Sequence, residues 1–462
     1  MFKYKLDNFR SYENQSIDFK RVNILIGENS GGKSSLIKSI LALKQTIEYP
    51  EISNLILNGK YTDLGNFTET IKNHDDSQPL RFSFSFKENL PAYARFFIFD
   101  DMDKVKPERR KVVEGYIREA LEYETIAHYE INKNLDEHRF INTYFENELL
   151  GDLKLLFPDN REEEDDHYDL ISRVRTCTLL YNSKKRKKIF EFNKVEFSKK
   201  GFLSFIDPTT LKRECDRFED ESLFYETALF LINQNLIEFN LKNVKYLNPL
   251  SSNPKRIYLN KDAQSEYEKS DLEKFTNLVT TNQISSSNIK RFNKILKDYG
   301  IADGIKVNNS KKLPVSELRV KVKSLTSNIF DVGYGVSLQI PMIFEAFIAE
   351  QEGGATFIIE QPEVHLHPKL QAKFIETLLK LGDQNNYIIE THSEHIVRML
   401  QVLTKKKSFD LSNEETQILY FIRGENKFEV SEHKLDKDGK MLNQFPSGFY
   451  DTSYNLTKEL MF

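Results

Sequence analysis

The sequence predicts an α/β fold organised around a phosphate-binding loop, and three stretches predict it. In NILIGENSGGKSS, residues 23–35, an apolar run ends in a glycine-rich loop that closes with lysine and two serines. In ATFIIEQPE, residues 355–363, a second apolar run ends in a carboxylate, and in YIIETHS, residues 387–393, a third leads into a histidine. Short apolar runs bounded by turn signals read as strands buried on both faces, the mark of a parallel sheet covered by helices.

The loop is the most specific of the three. Gly27, Gly32, Lys33 and Ser34 stand at the spacing G-x-x-x-x-G-K-[ST]. At that spacing backbone N–H groups wrap a polyphosphate, the lysine reaches the outer phosphates and the serine hydroxyl meets Mg²⁺. Asn29, Ser30, Gly31, Gly32, Lys33, Ser34 and Ser35 are therefore the candidate ATP-binding residues, with Ser34 also a metal ligand. Residues 22–26 read as the strand before the loop and residues 34–43 as the helix after it, its positive end toward the anion.

Composition bounds the rest. The chain has 462 residues, 39% hydrophobic and 29% charged, which fits two or three soluble domains. A net charge of −4 gives no global basic field of the kind a DNA-coating protein needs. Cys177 and Cys215 form no C-x-x-C and no zinc pattern, which suits a reducing compartment. The start lacks the apolar core of a signal peptide and no run approaches 18 apolar residues, so a cytoplasmic protein without a membrane partner is expected.

Taken in order, residues 1–19 alternate loosely and read as one or two strands. There Arg10 and Tyr12 either approach the nucleotide or belong to a solvated hairpin, and the sequence does not choose. LRFSFSF at residues 80–86 alternates phenylalanine with serine, as a strand with one buried face would, so residues 1–86 suggest a largely antiparallel lobe beside the nucleotide strand. From about residue 107 to 156 the period reads as helical, with a stripe at residues 112–121. The acidic run at 161–169 and the basic run at 184–188 read as solvated loops. Residues 189–197 look like a strand pair and 223–241 like an apolar helix, so residues 87–241 are expected to be a largely helical insertion. Residues 245–258, with two prolines, are a loop or strand exit, and residues 262–299 are polar and helical, capped by Gly300. ELRVKVK at 317–323 restarts a strand.

The chemistry resumes at DVGYGVSLQ, residues 331–339, where Gly333, Gly335 and Ser337 precede an apolar helix. Glycines and a serine at a helix start offer N–H groups to an anion, although the same residues also make an ordinary capped helix. Glu360 at a strand end next to such a loop can hold the water shell of Mg²⁺. His365 and His367 would suit zinc, but no further ligand stands at a suitable spacing, and a turn explains them. His392 places an imidazole at the top of the same sheet, as a γ-phosphate sensor would.

Loop, glycine-serine helix start, acidic strand end and strand-end histidine, in this order and with a long insertion after the first, resemble the ABC-type ATPase heads of the RecF, structural-maintenance-of-chromosomes and overcoming-lysogenization-defect proteins. The resemblance covers roughly residues 1–86 and 313–421. It implies a P-loop NTPase of mixed sheet plus antiparallel lobe, split by the insertion at 87–241, a connecting segment at 242–312 and a small extension at 422–462. By it GENSGGKS is Walker A, DVGYGVS the signature that acts in trans, FIIEQPE Walker B and His392 the switch histidine. EQPEVHLHPKLQ and the residues FPSGFY at 445–450 look like a prokaryotic subgroup whose relatives sit beside a nuclease in anti-phage systems such as Septu and PARIS. The resemblance implies ATP and Mg²⁺ as cofactors and Glu360, Gln361, Glu363 and His392 as the catalytic set. It also implies a homodimer or higher even-numbered assembly around ATP, and a separately encoded effector. The second reading is a RecF-like DNA-binding ATPase acting directly in repair, with DNA as partner. One departure matters: Walker B usually ends Asp-Glu, whereas here it ends Glu360-Gln361, and a carboxamide cannot take a proton from water. Slow hydrolysis is the expectation.

Overall fold

A computed structural model describes residues 2–48, 55–86, 125–134, 137–147, 151–156, 175–182, 187–195, 240–248, 254–259, 271–280, 284–310, 312–425, 427–443, 456 and 458–460. The chain divides into two units. One comprises Met1–Phe19, Ser34–Asn243 and Arg423–Phe428, the other Lys20–Lys33, Val244–Ile422 and Glu429–Phe462.

The first unit holds β1 (Phe2–Asp7) and β2 (Gln15–Asp18); β3 (Val22–Gly27) belongs to the second. It continues with helix α1, which begins at the loop lysine (Lys33–Glu48), and the short α2 (Phe67–Thr70). Then come β4 (Leu80–Phe86), β5 (Thr125–Asn134), β6 (Glu137–Asn147), β7 (Gly151–Leu156), β8 (Arg175–Asn182) and β9 (Lys187–Val195). Among the described residues these strands form one sheet in the order β2-β1-β4-β5-β6-β7-β8-β9. Every pairing in it is antiparallel. In β1 the period of two is explicit: Phe2, Tyr4 and Leu6 are buried while Lys3 and Lys5 are exposed. Tyr4 lies opposite Phe84 with ring centroids 4.8 Å apart. β4 is an interior strand, so Ser83 and Ser85 are buried as well as Phe82 and Phe84, and the expected single buried face becomes two.

Part of the insertion departs from its expected helical character. Thr125–Asn134, Glu137–Asn147 and Gly151–Leu156 form β5, β6 and β7, where a helical period was expected. Ala127, Tyr129 and Ile131 are buried at a spacing of two, and β5 meets β4 with Tyr129 opposite Phe82. Cross-strand burial against β4 decides a segment whose own composition is ambiguous. β9 is likewise one strand, paired with β8 upstream, instead of a strand pair within residues 189–197. The stripe at 112–121, the acidic run at 161–169, residues 184–186 of the basic run, residues 223–239 and residues 445–450 lie outside the described residues.

The second unit holds β10 (Val244–Leu247), β11 (Tyr258–Leu259), α3 (Asp271–Thr280), α4 (Ser286–Tyr299), β12 (Gly304–Asn309), β13 (Val315–Val322) and β14 (Leu325–Asn328). These are followed by α5 (Tyr334–Gln351), β15 (Thr356–Glu360), α6 (Pro368–Leu381), β16 (Asn386–Glu390), α7 (Glu394–Lys406), β17 (Thr416–Arg423) and β18 (Phe428–His433). Its main sheet runs β10-β15-β16-β3-β17-β18, with the first five strands parallel. The strand carrying His392 thus lies between the loop strand and the strand carrying Glu360. Val22, Ile24, Ile26, Phe357, Ile359, Tyr387 and Ile389 join one core with α5, α6 and α7, and Leu25, Ile358 and Ile388 between them are buried as well, which is why these strands read as unbroken apolar runs. Asn23 interrupts that pattern for a reason: its amide donates to Tyr387 O at 2.9 Å and accepts from Gln417 Nε2 at 2.7 Å, tying β3 to both neighbours. A smaller sheet joins β11, β13 and β12, with β14 paired to β13. Helix α4 ends at Gly300, left-handed at φ 88°, as its sequence foretells. Among the described residues no helix is long and apolar enough to cross a membrane.

Candidate active site

The loop is set by its anchor on β17. Gly27 has φ 135°, and a Cβ there would come within 2.1 Å of the Phe421 carbonyl oxygen, so only glycine lets β3 turn away at this point. The next residue fixes the turn, its Glu28 N–H donating to the same oxygen at 3.0 Å. Asn29 and Ser30 are exposed, while Gly31, Gly32 and Lys33 are buried. Lys33 is 4% exposed and its ammonium donates to Gly27 O at 3.1 Å and Glu28 O at 2.8 Å, lying across the concave side of the loop. Burial lowers its pKa from the ordinary lysine value, opposed by the charges of Glu390 and Glu28. Ser34, exposed, and Ser35 follow in the first turn of α1.

In the first unit Arg10 donates to Ser35 Oγ at 3.2 Å, which holds its guanidinium one residue beyond Ser34. Tyr12 is fully buried against Phe428, rings 5.0 Å apart, so this candidate is core and reaches no nucleotide.

Glu360 closes β15 and accepts from the Tyr246 hydroxyl at 3.0 Å, which in turn receives Asn248 Nδ2 at 3.1 Å. Burial first, then the Glu360 charge, push the Tyr246 hydroxyl well above the ordinary tyrosine range, so it stays a donor. Gln361 turns left-handed at φ 45° and its N–H returns to Glu390 O at 2.7 Å. A non-glycine residue held there costs about 1 kcal/mol, which the surrounding hydrogen bonds must offset. Glu363 is engaged through both oxygens, accepting from Thr391 Oγ1 at 2.8 Å and from the His392 N–H at 2.6 Å. It braces the end of β16 and so positions the histidine. Gln371 continues the brace by accepting from Ser393 Oγ at 2.7 Å.

Sequence reasoning gave no role to Glu390. It is 4% exposed, sits in register with Glu360 on the neighbouring strand, and its charge acts on Lys33 and Tyr246. A charged residue closing the apolar run YII was the available signal.

His392 has its pKa held below the ordinary 6.5, first by desolvation and then by the Lys33 ammonium, with Glu363 opposing. The imidazole is therefore neutral at pH 7. The unfolded chain takes up this proton more readily, so the contribution to stability is present above about pH 6.5 and is lost as pH falls through the lowered folded value. Lys33→Met should raise the His392 pKa in an NMR titration of the ring; an unchanged value would refute their electrostatic contact.

At the start of α5, Gly333 and Tyr334 are exposed. Gly335 is pressed onto the turn after β15, where a Cβ would meet the His365 carbonyl oxygen at 2.5 Å, and the Tyr334 ring packs edge-on against His365. Ser337 departs from its expected role: it is 1% exposed and its hydroxyl donates to Tyr334 O at 2.9 Å, because the helix has already turned it inward by the fourth residue. His367 caps α6, its Nδ1 accepting from the Lys369 N–H at 3.3 Å, and among the described residues no group of three or more His, Cys, Asp or Glu could hold a metal. The Glu360 carboxylate is an oxygen donor of the kind Mg²⁺ takes alongside phosphate oxygens, so its chemistry fits that ion.

A glycine loop with a buried lysine, a carboxylate and a histidine on the two adjoining parallel strand ends, and a glycine-rich helix start define a P-loop ATPase head. The chain matches the AAA ATPase domain family over residues 1–397 and belongs to it. A curated relative, the OLD nuclease of Thermus scotoductus, is 36% identical over 98 residues, 21% of this chain and 18% of that protein. The match thus spans less than a fifth of that nuclease. Solved structures similar in fold include the Smc head bound to the C-winged helix domain of ScpA, at 11% identity and TM-score 0.40, covering 94% of this chain and 98% of that one. Another is the SMC head domain from Thermotoga maritima, at 9% identity and TM-score 0.34, covering 93% and 97%.

Proposed function

We propose that this chain binds Mg²⁺-ATP, hydrolyses it slowly, and pairs head to head with a second copy around the nucleotide to regulate a separately encoded effector, a nuclease, in anti-phage defence. The observation that carries the pairing is the open start of α5. A Cβ on Gly333 would meet nothing within 4 Å, and Gly333 and Tyr334 are exposed, so the start of this helix faces open space on the unit that holds the loop. First-turn amides have no partner four residues back and accept an anion from outside the helix. With Ser337 turned inward, the contact in trans falls to Gly333, Tyr334 and Gly335 backbone. Glu360 would hold the metal, which would supply charge neutralisation at the phosphates. Gln361 in place of a carboxylate supports slow turnover, and so does the engagement of both Glu363 oxygens. The likeness to part of an OLD nuclease supports the nuclease connection.

Gly333→Arg tests the pairing. The backbone there, φ −55°, suits any residue, and the space is open, so the single chain should fold and bind ATP normally. Mass photometry with Mg²⁺-ATP should show an even-numbered assembly for wild type and single chains for the variant, and cells relying on the system should lose protection. Equal masses for the two would refute pairing through this surface.

A further inference from the structure

We infer that Tyr246 is the positioning residue for the metal-binding carboxylate, presenting Glu360 through a directed chain of hydrogen bonds that starts at Asn248. The inference rests on the reading of Glu360 as a metal ligand and extends it to a strand to which sequence reasoning gave no part in the site.

Register explains why a tyrosine is required. On the parallel pair β10 and β15, Tyr246 stands beside Ile358, and Glu360 lies two residues further along the same face. Two residues of strand are about 6.6 Å, close to the reach of a tyrosine from Cα to Oη. Its hydroxyl indeed arrives at Glu360 Oε2, 3.0 Å away. A serine or threonine at this position falls short, and a phenylalanine reaches without the donor.

The direction of the chain is fixed by chemistry. An ionised carboxylate only accepts, so Tyr246 Oη donates to Glu360 and spends its lone pair on the Asn248 amide, 3.1 Å away. Each bond polarises the next. One carboxylate oxygen is thereby held by a neutral donor, which orients the group without cancelling the charge a cation needs. The contrast within the site is informative: Glu363, the other carboxylate of the same turn, is held by Thr391 and the His392 amide on the other side. The turn after β15 thus has its first carboxylate oriented from β10 and its second from β16. Glu390, in register with Glu360, adds a like charge on the same face, so an unrestrained Glu360 would be pushed aside.

Partners that orient a metal ligand typically contribute 10- to 100-fold in metal affinity. The test uses the full chain and calorimetric ATP titrations over a range of Mg²⁺ and in EDTA, with wild type, Tyr246→Phe and Glu360→Gln. Tyr246→Phe should raise the Mg²⁺ concentration needed for half-maximal enhancement of ATP affinity by roughly 10-fold, and leave affinity in EDTA at the wild-type value. Asn248→Ala should shift it in the same direction by less. If Glu360→Gln abolishes the Mg²⁺ dependence while Tyr246→Phe retains it unchanged, the inference fails and the reading of Glu360 stands. If Glu360→Gln itself leaves the dependence intact, that reading falls and the inference with it. Equal losses for Tyr246→Phe with and without Mg²⁺ would assign the tyrosine to packing and overturn the proposal.

Discussion

Lys33→Ala is expected to weaken ATP binding by roughly 100-fold or more. The loop contributes backbone dipoles, but Lys33 alone in it carries a full positive charge, on a stem that is 4% exposed and held by two loop carbonyls. Charge-assisted hydrogen bonds contribute about 1.5–3 kcal/mol each, and an ammonium placed over two phosphates makes at least two. Their loss amounts to about 3 kcal/mol at the low end, or about two decades in Kd. The buried position argues against replacement by a neighbouring cation, since Arg10 is engaged with Ser35. Calorimetry on purified Lys33→Ala gives the answer directly. Affinity within a few-fold of wild type would remove this loop from nucleotide binding.

Gln361→Glu should raise ATP turnover by about 100-fold at unchanged ATP affinity, the lower end of what a general base contributes. The substitution is isosteric and adds no backbone strain, because position 361 is already a non-glycine residue at φ 45°. The introduced carboxylate would share its surroundings with Glu360 and with Glu390, whose carbonyl already receives the Gln361 N–H. Like charges raise its pKa toward neutrality, where a base works best. Glu363→Gln is a poorer probe, since it would set an N–H₂ against the Thr391 hydroxyl or the His392 amide and disturb the histidine. Steady-state rates for wild type and Gln361→Glu at saturating Mg²⁺-ATP decide the matter. Ordinary turnover in wild type, unaltered by the change, would place the proton acceptor elsewhere.

The sequence by itself determined the loop, the two strands that carry the acidic end and the histidine, and an apolar helix after the glycine-serine stretch at 331–339. In each case the signal is local even where its cause is not: the loop glycines and Lys33 stand at a fixed spacing, and the runs ending at Glu360 and Glu390 are apolar without a break because consecutive residues in them are buried. Tertiary structure alone decided the rest. Whether Thr125–Asn134 was helix or strand turned on pairing with β4, between residues 41 to 51 positions apart in the chain, and no local period records it. Tyr12 was indistinguishable from a ligand-facing tyrosine until Phe428, more than 400 positions away, was found against its ring. Ser337 was grouped with Gly333 and Gly335 as an anion site at a helix start, yet helical rotation carries its hydroxyl inward within one turn. Tyr246 and Glu390 were visible as letters without roles, because a site residue contributed by strand register depends on which strands are neighbours, and the order β10-β15-β16-β3 is set by the packing of the whole sheet.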